Sequence, residues 1–298
     1  MGEEFYREMI KSRIKIILFL IPLLIPFFII FFSGIIIAIM QSMGIFVFSY
    51  TYPDYFFAYR EILSQEWFFR SLILTLFVSL STAVISVIAG ILISYRIWKL
   101  PDNLKKWGIL AKIPLILPHI TVGFIVIIFF SRSGFFSSLS NYLGLTDSME
   151  SFPMVLYNKA GLDIILAGIY KETPFAVIMI YALLVKMDKR LIESAQMLGA
   201  GVTQIFIRII LPHIMPAVNT VFIILFVYNI GSFEIPYVLG SSSPGMLSIR
   251  IFDYFFRKDL AMRPYAMAML VMLLFFSLIF IYFYTKTAAG IDIRDRKL

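Results

Sequence analysis

Six long apolar runs, separated by polar and charged segments, account for most of this chain. A bilayer's hydrocarbon core of about 30 Å takes roughly 20 residues of α-helix at 1.5 Å rise each. The runs that reach this length predict membrane-spanning helices over approximately 14–38, 69–94, 108–130, 162–185, 213–233 and 265–285. Pro22, Pro26, Pro114, Pro118, Pro174 and Pro216 fall inside them. Bilayer helices tolerate proline where neighbouring groups satisfy the freed carbonyls, so kinked, protein-packed helices are expected. The connections 39–68, 131–161 and 234–264 are too long for simple turns and predict short interfacial helices.

Composition agrees with an all-α integral membrane fold. Of 298 residues 60% are hydrophobic and 15% charged, against roughly 45–50% and 25% in soluble domains. The chain divides into an N-terminal segment with the first span and an outer loop (1–65), a five-helix core (66–285) and a tail (286–298). The first run follows Arg7, Lys11, Arg13 and Lys15, as in a signal peptide. It is longer than the roughly 7–15 residues of a signal h-region and reads as a retained helix.

The net charge of +8 changes the picture only through its placement. Lys and Arg stand between apolar runs rather than along one polar face, which argues for membrane topology and against nucleic-acid binding. With the N-terminus inside, the inner segments hold sixteen of these residues and the outer loops eight. That bias places both termini in the cytoplasm of a multi-pass protein of the cell (inner) membrane. Cysteine is absent, and the two histidines, His119 and His213, are too far apart in sequence to suggest a metal site. The glycine pair Gly240 and Gly245 is followed by Met246 rather than Lys-Ser/Thr, so it forms no Walker loop. No paired-histidine or nucleophile motif points to an enzyme.

The inner connection 187–212 is helical in character rather than merely basic. Asp188 is placed to cap a short helix in which Leu191, Ala195 and Leu198 recur at helical spacing, and Gly199 and Gly201 stop it. Thr203 is placed to cap a second short helix, with Phe206 and Ile210 on one face and Pro212 opening the next span. The expected product is a helix-turn-helix elbow, a compact apolar knob with charged flanks that suits a groove on a soluble partner. The same periodicity fits a lipid-surface loop.

Glu193, Ser194 and Ala195, then Gly199, then Ile209, Leu211 and Pro212 follow the spacing Glu-Ala-Ala, three residues, Gly, nine residues, Ile, any residue, Leu-Pro. This resembles the signature loop of the permease subunits of binding-protein-dependent ABC importers, with Ser194 as the one departure. The resemblance implies the type I importer arrangement. It also makes the elbow a coupling helix that meets an ATPase through Glu193, Ser194, Ala195, Leu198, Gly199, Ala200, Ile209, Leu211 and Pro212. It implies as partners a pair of ATP-binding subunits, a second, homologous permease chain and an extracytoplasmic solute-binding protein. No cofactor is expected on this chain, ATP and Mg belonging to the ATPase. Tyr170 to Phe175 is similar to an aromatic–x–x–x–Pro-Phe signature of the same family. Gly231 to Gly240, with Phe233 and Pro236, resembles the branch that imports polyamines, ferric iron, thiamine or phosphonates more than the sugar branch.

Ionisable and polar residues within spans are the default candidates for a solute path. Asn229 and Ser232 share a helix face near Glu234, and Thr75 and Ser79 in the second span join them as candidates. Helix–helix hydrogen bonding is the rival reading. Lys171 and Glu172 are adjacent, so their side chains diverge by about 100°, and the motif around them suggests packing. The competing function is a secondary transporter or channel, expected to show internal repeats; none is visible.

Overall fold

The computed structural model describes residues 2–45, 52, 54–148, 151–241 and 243–295, with side chains except at 2–14, 16, 107 and 288–295. Arg7, Lys11, Arg13, Arg294, Arg296 and Lys297, which entered the charge count, lie outside the described side chains. Among the described residues all regular structure is helical: α1 (Gly2–Ser42), α2 (Phe57–Ser64), α3 (Glu66–Lys99), α4 (Asp102–Lys105), α5 (Ile113–Ile116), α6 (His119–Phe130), α7 (Phe135–Tyr142), α8 (Leu162–Lys186), α9 (Lys189–Met197), α10 (Val202–Ile205), α11 (Leu211–Gly231), α12 (Glu234–Leu239), α13 (Leu247–Phe252) and α14 (Arg263–Asp295). Six segments among the described residues are long and apolar enough to cross a bilayer: Ile17–Ser42, Glu66–Lys99, His119–Tyr142, Leu162–Lys186, Val202–Gly231 and Leu260–Thr287.

Two expectations need correction. The third span is not a continuous helix over 108–130. Residues Lys106–Lys112 form a 3₁₀ helix, α5 follows, and Leu117 is extended (φ −73°, ψ 136°) before α6 begins at His119. The cause is Pro118, whose ring pushes the preceding residue out of the α region. The fifth span starts earlier than 213, because the chain runs on from Val202 without a break. Pro212 has no N–H for the carbonyl one turn back. The chain accommodates this with a π turn over Phe206–Ile210, in which the Leu211 N–H reaches the Phe206 carbonyl.

The molecule comprises two compact units, residues 1–64 with 251–272, and 65–250 with 273–298. In the first, the side chains of α1 from Ile17 to Phe32 are exposed, as suits a helix that is apolar all round and faces lipid. Beyond it, Tyr52 stacks on Phe57 at 4.2 Å and donates a hydrogen bond to the Ala261 carbonyl, while Phe57 meets Tyr265 edge-on.

The second unit is built on α3 and α8. Ser71, Thr75, Ser79, Thr82, Ser86 and Gly90 are buried along one face of α3 at steps of three or four residues. Thr82 lies against Gly168 and Gly90 against Ala176, so the contacts ascend together along both helices and the two run parallel. Small residues allow this close approach in lipid, where hydrophobicity alone does not bring helices together. Leu74, Val78, Val122, Val126, Ile164 and Leu239 close the core around the N-terminal turns of both helices. Elsewhere in this unit, Phe222 and Phe226 on α11 pack on Phe280 and Tyr284 of α14.

A Cβ on Gly90 would sit 2.5 Å from the Ala176 Cβ, whereas one on Gly34 meets nothing within 4 Å. Gly90→Ala is therefore expected to destabilise by roughly 1–3 kcal/mol and Gly34→Ala to be neutral, read as thermal midpoints in detergent. Equal midpoints would show that α3 and α8 are not packed at this separation.

Candidate functional site

The elbow is assembled from local signals. The Asp188 side chain accepts from the Arg190 N–H at 3.0 Å, which caps α9. At the other end Gly199 takes φ +81°, with its N–H on the Gln196 carbonyl (2.9 Å) and the Ala200 N–H on the Ala195 carbonyl (3.0 Å). This pair of bonds is a Schellman stop, which needs a residue tolerant of the left-handed region. α10 starts at Val202 with Gly201 as its N-cap, so Thr203 lies inside the helix and not at its cap as expected. Gly201 precedes Val202 in an extended conformation and leaves no role for the hydroxyl.

The elbow's tip is apolar and open. Met197 and Leu198 are 90% and 88% exposed, and Glu193, Ser194 and Gly199 are exposed beside them. A shallow groove of about 350 Å³ lies between the two arms, lined by Ala195, Leu198, Gly199, Ala200, Gln204 and Ile209. Its base is fixed: Ile205 and Ile210 are buried, Phe206 packs on Tyr95 of α3 at 4.9 Å, and His213 Nε2 lies 3.3 Å from the Leu183 carbonyl of α8. Leu211 is half-buried and Pro212 exposed at the entry to α11.

A second polar centre lies near the middle of α8. Lys171, only 7% exposed, donates from Nζ to the carbonyls of Pro114, Leu115 and Leu117 at 3.0, 3.1 and 2.5 Å. These are the carbonyls that the break at Pro118 leaves without helical partners, and a cation at a helix C-terminus also meets the negative end of its dipole. Glu172, 5% exposed, accepts from Asn229 Nδ2 at 2.9 Å. The two adjacent ionisable side chains thus do not pair with each other; each ties α8 to a different helix. Past the break, His119 Nε2 is hydrogen-bonded to the Tyr228 hydroxyl at 2.8 Å, and its Nδ1 stands 3.6 Å from Glu234 Oε2. Glu234 keeps 57% of its side chain exposed.

The candidate path residues therefore separate. Glu234 faces outward with His119 and Tyr228. Ser232 is half-buried, and its carbonyl accepts from the Ser248 hydroxyl. Asn229 is committed to Glu172 and to the Leu225 carbonyl. Thr75 is fully buried, donating to the Ser71 carbonyl and accepting from the Leu247 N–H, and Ser79 is fully buried on the α3 face that meets α8. Two contributors were not singled out in the sequence. Tyr228 carries no motif; Asp163 is fully buried and accepts from the Tyr157 and Ile164 N–H groups, with acidity in the first turn of a helix as its only cue.

Residues 86–291 match the profile of the family described as binding-protein-dependent transport system inner membrane component. The chain belongs to that family. Within it, the molybdenum transport system permease protein ModB of Azotobacter vinelandii is 25% identical over 223 residues, covering 74% of this chain and 95% of that one. The spermidine/putrescine transport system permease protein PotB of Escherichia coli (strain K12) is 30% identical over 172 residues, which is 55% of this chain and 60% of that relative. The fold of this family member matches a chain of a bacterial ABC transporter involved in the import of the acidic polysaccharide alginate. The TM-score is 0.76 at 22% identity, over 91% of this chain and 94% of that chain.

Lys171→Met keeps the length of the side chain but leaves three part-buried carbonyls without the ammonium. The expected result is a loss of roughly 2–4 kcal/mol, seen as a lower thermal midpoint and faster amide hydrogen exchange over residues 113–122. Unchanged exchange there would mean that the break is held by something other than the ammonium.

Proposed function

We propose that this chain is the permease subunit of an ATP-driven, binding-protein-dependent importer in the inner membrane, with both termini cytoplasmic. It forms half of a translocation path that a second permease completes, and it takes its solute from an extracytoplasmic binding protein. The observation that carries this reading is the elbow's tip, where two large apolar side chains stand almost fully exposed on a rigid base. Burying side chains of this size contributes roughly 1.5–3 kcal/mol each, so a soluble partner with a matching cleft gains where water gives nothing.

The mechanism follows from the anchoring. A partner ATPase that contacts the elbow differently in its open and closed states biases the membrane helices by that difference and by no more. Phe206 on Tyr95 and His213 on Leu183 carry the displacement into α3 and α8, and the unbroken helix through the π turn carries it into α11. Glu193 flanks the tip as an anchor for hydrogen bonds from the partner. ATP hydrolysis then belongs to the partner chain.

Glu234 supports the placement of the path. A carboxylate left facing hydrocarbon costs several kcal/mol, so the open side that carries Glu234, His119 and Tyr228 faces water and the second permease rather than lipid. The relatives' names cover molybdenum, sulfate, spermidine/putrescine and ferric transport. For this chain we assign a small solute of the polyamine, ferric iron, thiamine or phosphonate kind, on the resemblance of residues Gly231 to Gly240.

Purification of the tagged chain in mild detergent is expected to bring down an ATP-binding subunit and a second six-span chain. Recovery alone, in a detergent that preserves such assemblies, would favour a secondary transporter. Gly199 tests the elbow itself. Its Cβ would meet nothing within 4 Å, so only the positive φ opposes substitution. Gly199→Val, which costs roughly 1–2 kcal/mol in the left-handed region, and Glu193→Lys are expected to abolish uptake and uncouple the ATPase with all spans inserted. Gly199→Asn, which tolerates that region, should retain most uptake. Normal uptake by the Val and Lys variants would falsify the coupling assignment. Glu234→Leu is expected to lower uptake several-fold with the assembly intact.

A further inference from the structure

Between the end of α3, the 3₁₀ segment Lys106–Lys112 and the last turns of α8 lies a cavity of about 420 Å³. Lys105, Lys106 and Lys112 are among its lining residues, with Val177, Ile178 and Tyr181 on the α8 wall. Asp102 pairs with Lys105 at 2.6 Å and holds that ammonium above its ordinary pKa. Lys106 and Lys112 have no acidic partner among the described residues. Lys112 falls inside the span expected from sequence, yet the break at Pro118 places it in the 3₁₀ segment, exposed, ahead of the span proper.

The surroundings are those of a bilayer boundary. Ile109, Leu110 and Ile113 are exposed around the lysines. Val177 and Ile178 are eight or nine residues before the end of α8 at Lys186, which puts the apolar wall about 12 Å deeper than the helix end. The cavity therefore offers two unpaired cations at the level of headgroups and, beside them, an apolar strip of Ile109 and Ile178 open to the membrane. A soluble anion would use the cations and leave the strip bare. A neutral lipid would use the strip and leave two ammoniums unpaired.

We propose that this cavity binds an anionic phospholipid, its phosphate held by Lys106 and Lys112 and one acyl chain laid along Ile109 and Ile178. Basic pockets between spans near a membrane face recognise headgroups of this class. The reading is independent of the coupling role of the elbow and of the nature of the imported solute.

The test uses the full assembly as purified, with phosphatidylglycerol and phosphatidylcholine added to lipid-depleted samples and bound lipid counted by native mass spectrometry. Phosphatidylglycerol should bind in preference to phosphatidylcholine. Lys106→Gln/Lys112→Gln should weaken that binding about 30-fold, the loss expected for two cations near an anionic surface. Lys106→Arg/Lys112→Arg should restore it, and an unchanged thermal midpoint in the Gln variant separates lost binding from lost folding. Equal retention of phosphatidylglycerol by the Gln variant and the natural chain overturns the proposal, as does equal binding of phosphatidylcholine. Full displacement of the lipid by millimolar inorganic phosphate would reduce the site to one for a soluble anion and also overturns it.

Discussion

In hydrocarbon a peptide carbonyl without an internal partner costs several kcal/mol, and Pro118 leaves three of them at the end of α5. The ammonium of Lys171 meets all three. Much of the second unit depends on that arrangement. With the break satisfied, α6 can start in a new direction and bring His119 to Tyr228 and Glu234. Its neighbour on α8, Glu172, fixes Asn229 and with it the last turn of α11. Two adjacent ionisable residues thus set the positions of three helices, and neither remains available to a solute.

The polar residues of the spans fall into two groups for one physical reason. A hydroxyl is small, so on a packed helix face it allows close approach and bonds locally, as Thr75 does with the Ser71 carbonyl and the Leu247 N–H. A carboxylate is too costly to leave facing lipid and has to find a cation, a donor or water. Glu172 finds a donor inside the protein. Glu234 stays largely exposed beside His119, which makes its surroundings the place for a wetted path in the proposed assembly.

The elbow combines a locally specified turn with a tertiary base. Its tip would form in any context that offered the Asp188 cap and the Schellman stop at Gly199. In its proposed role as a lever the elbow depends on a buried base, Ile205 and Ile210, and on contacts with two other helices, through Phe206 to α3 and His213 to α8. In the proposed assembly, rigid seating would let a docking partner's movement reach the spans instead of dissipating in the loop. The lysine-rich cavity lies at the same end of α8, where the chain leaves the membrane.

Length and apolarity by themselves determined the six spans and the all-helical class, because a bilayer admits so few ways of satisfying a backbone. The elbow was equally legible: its cap, its stop and its motif residues are contiguous, so their spacing is their geometry. Even there Thr203 misled, since a hydroxyl near a helix start does not say which residue is the N-cap. Only the tertiary structure decided how the break before Pro118 is satisfied, what Lys171 and Glu172 hold, and that Thr75 and Ser79 pack while Glu234 faces out. Those outcomes join residues more than fifty positions apart. Periodicity tells which face of a helix carries a polar group, but which helix lies opposite that face is a property of the packed bundle.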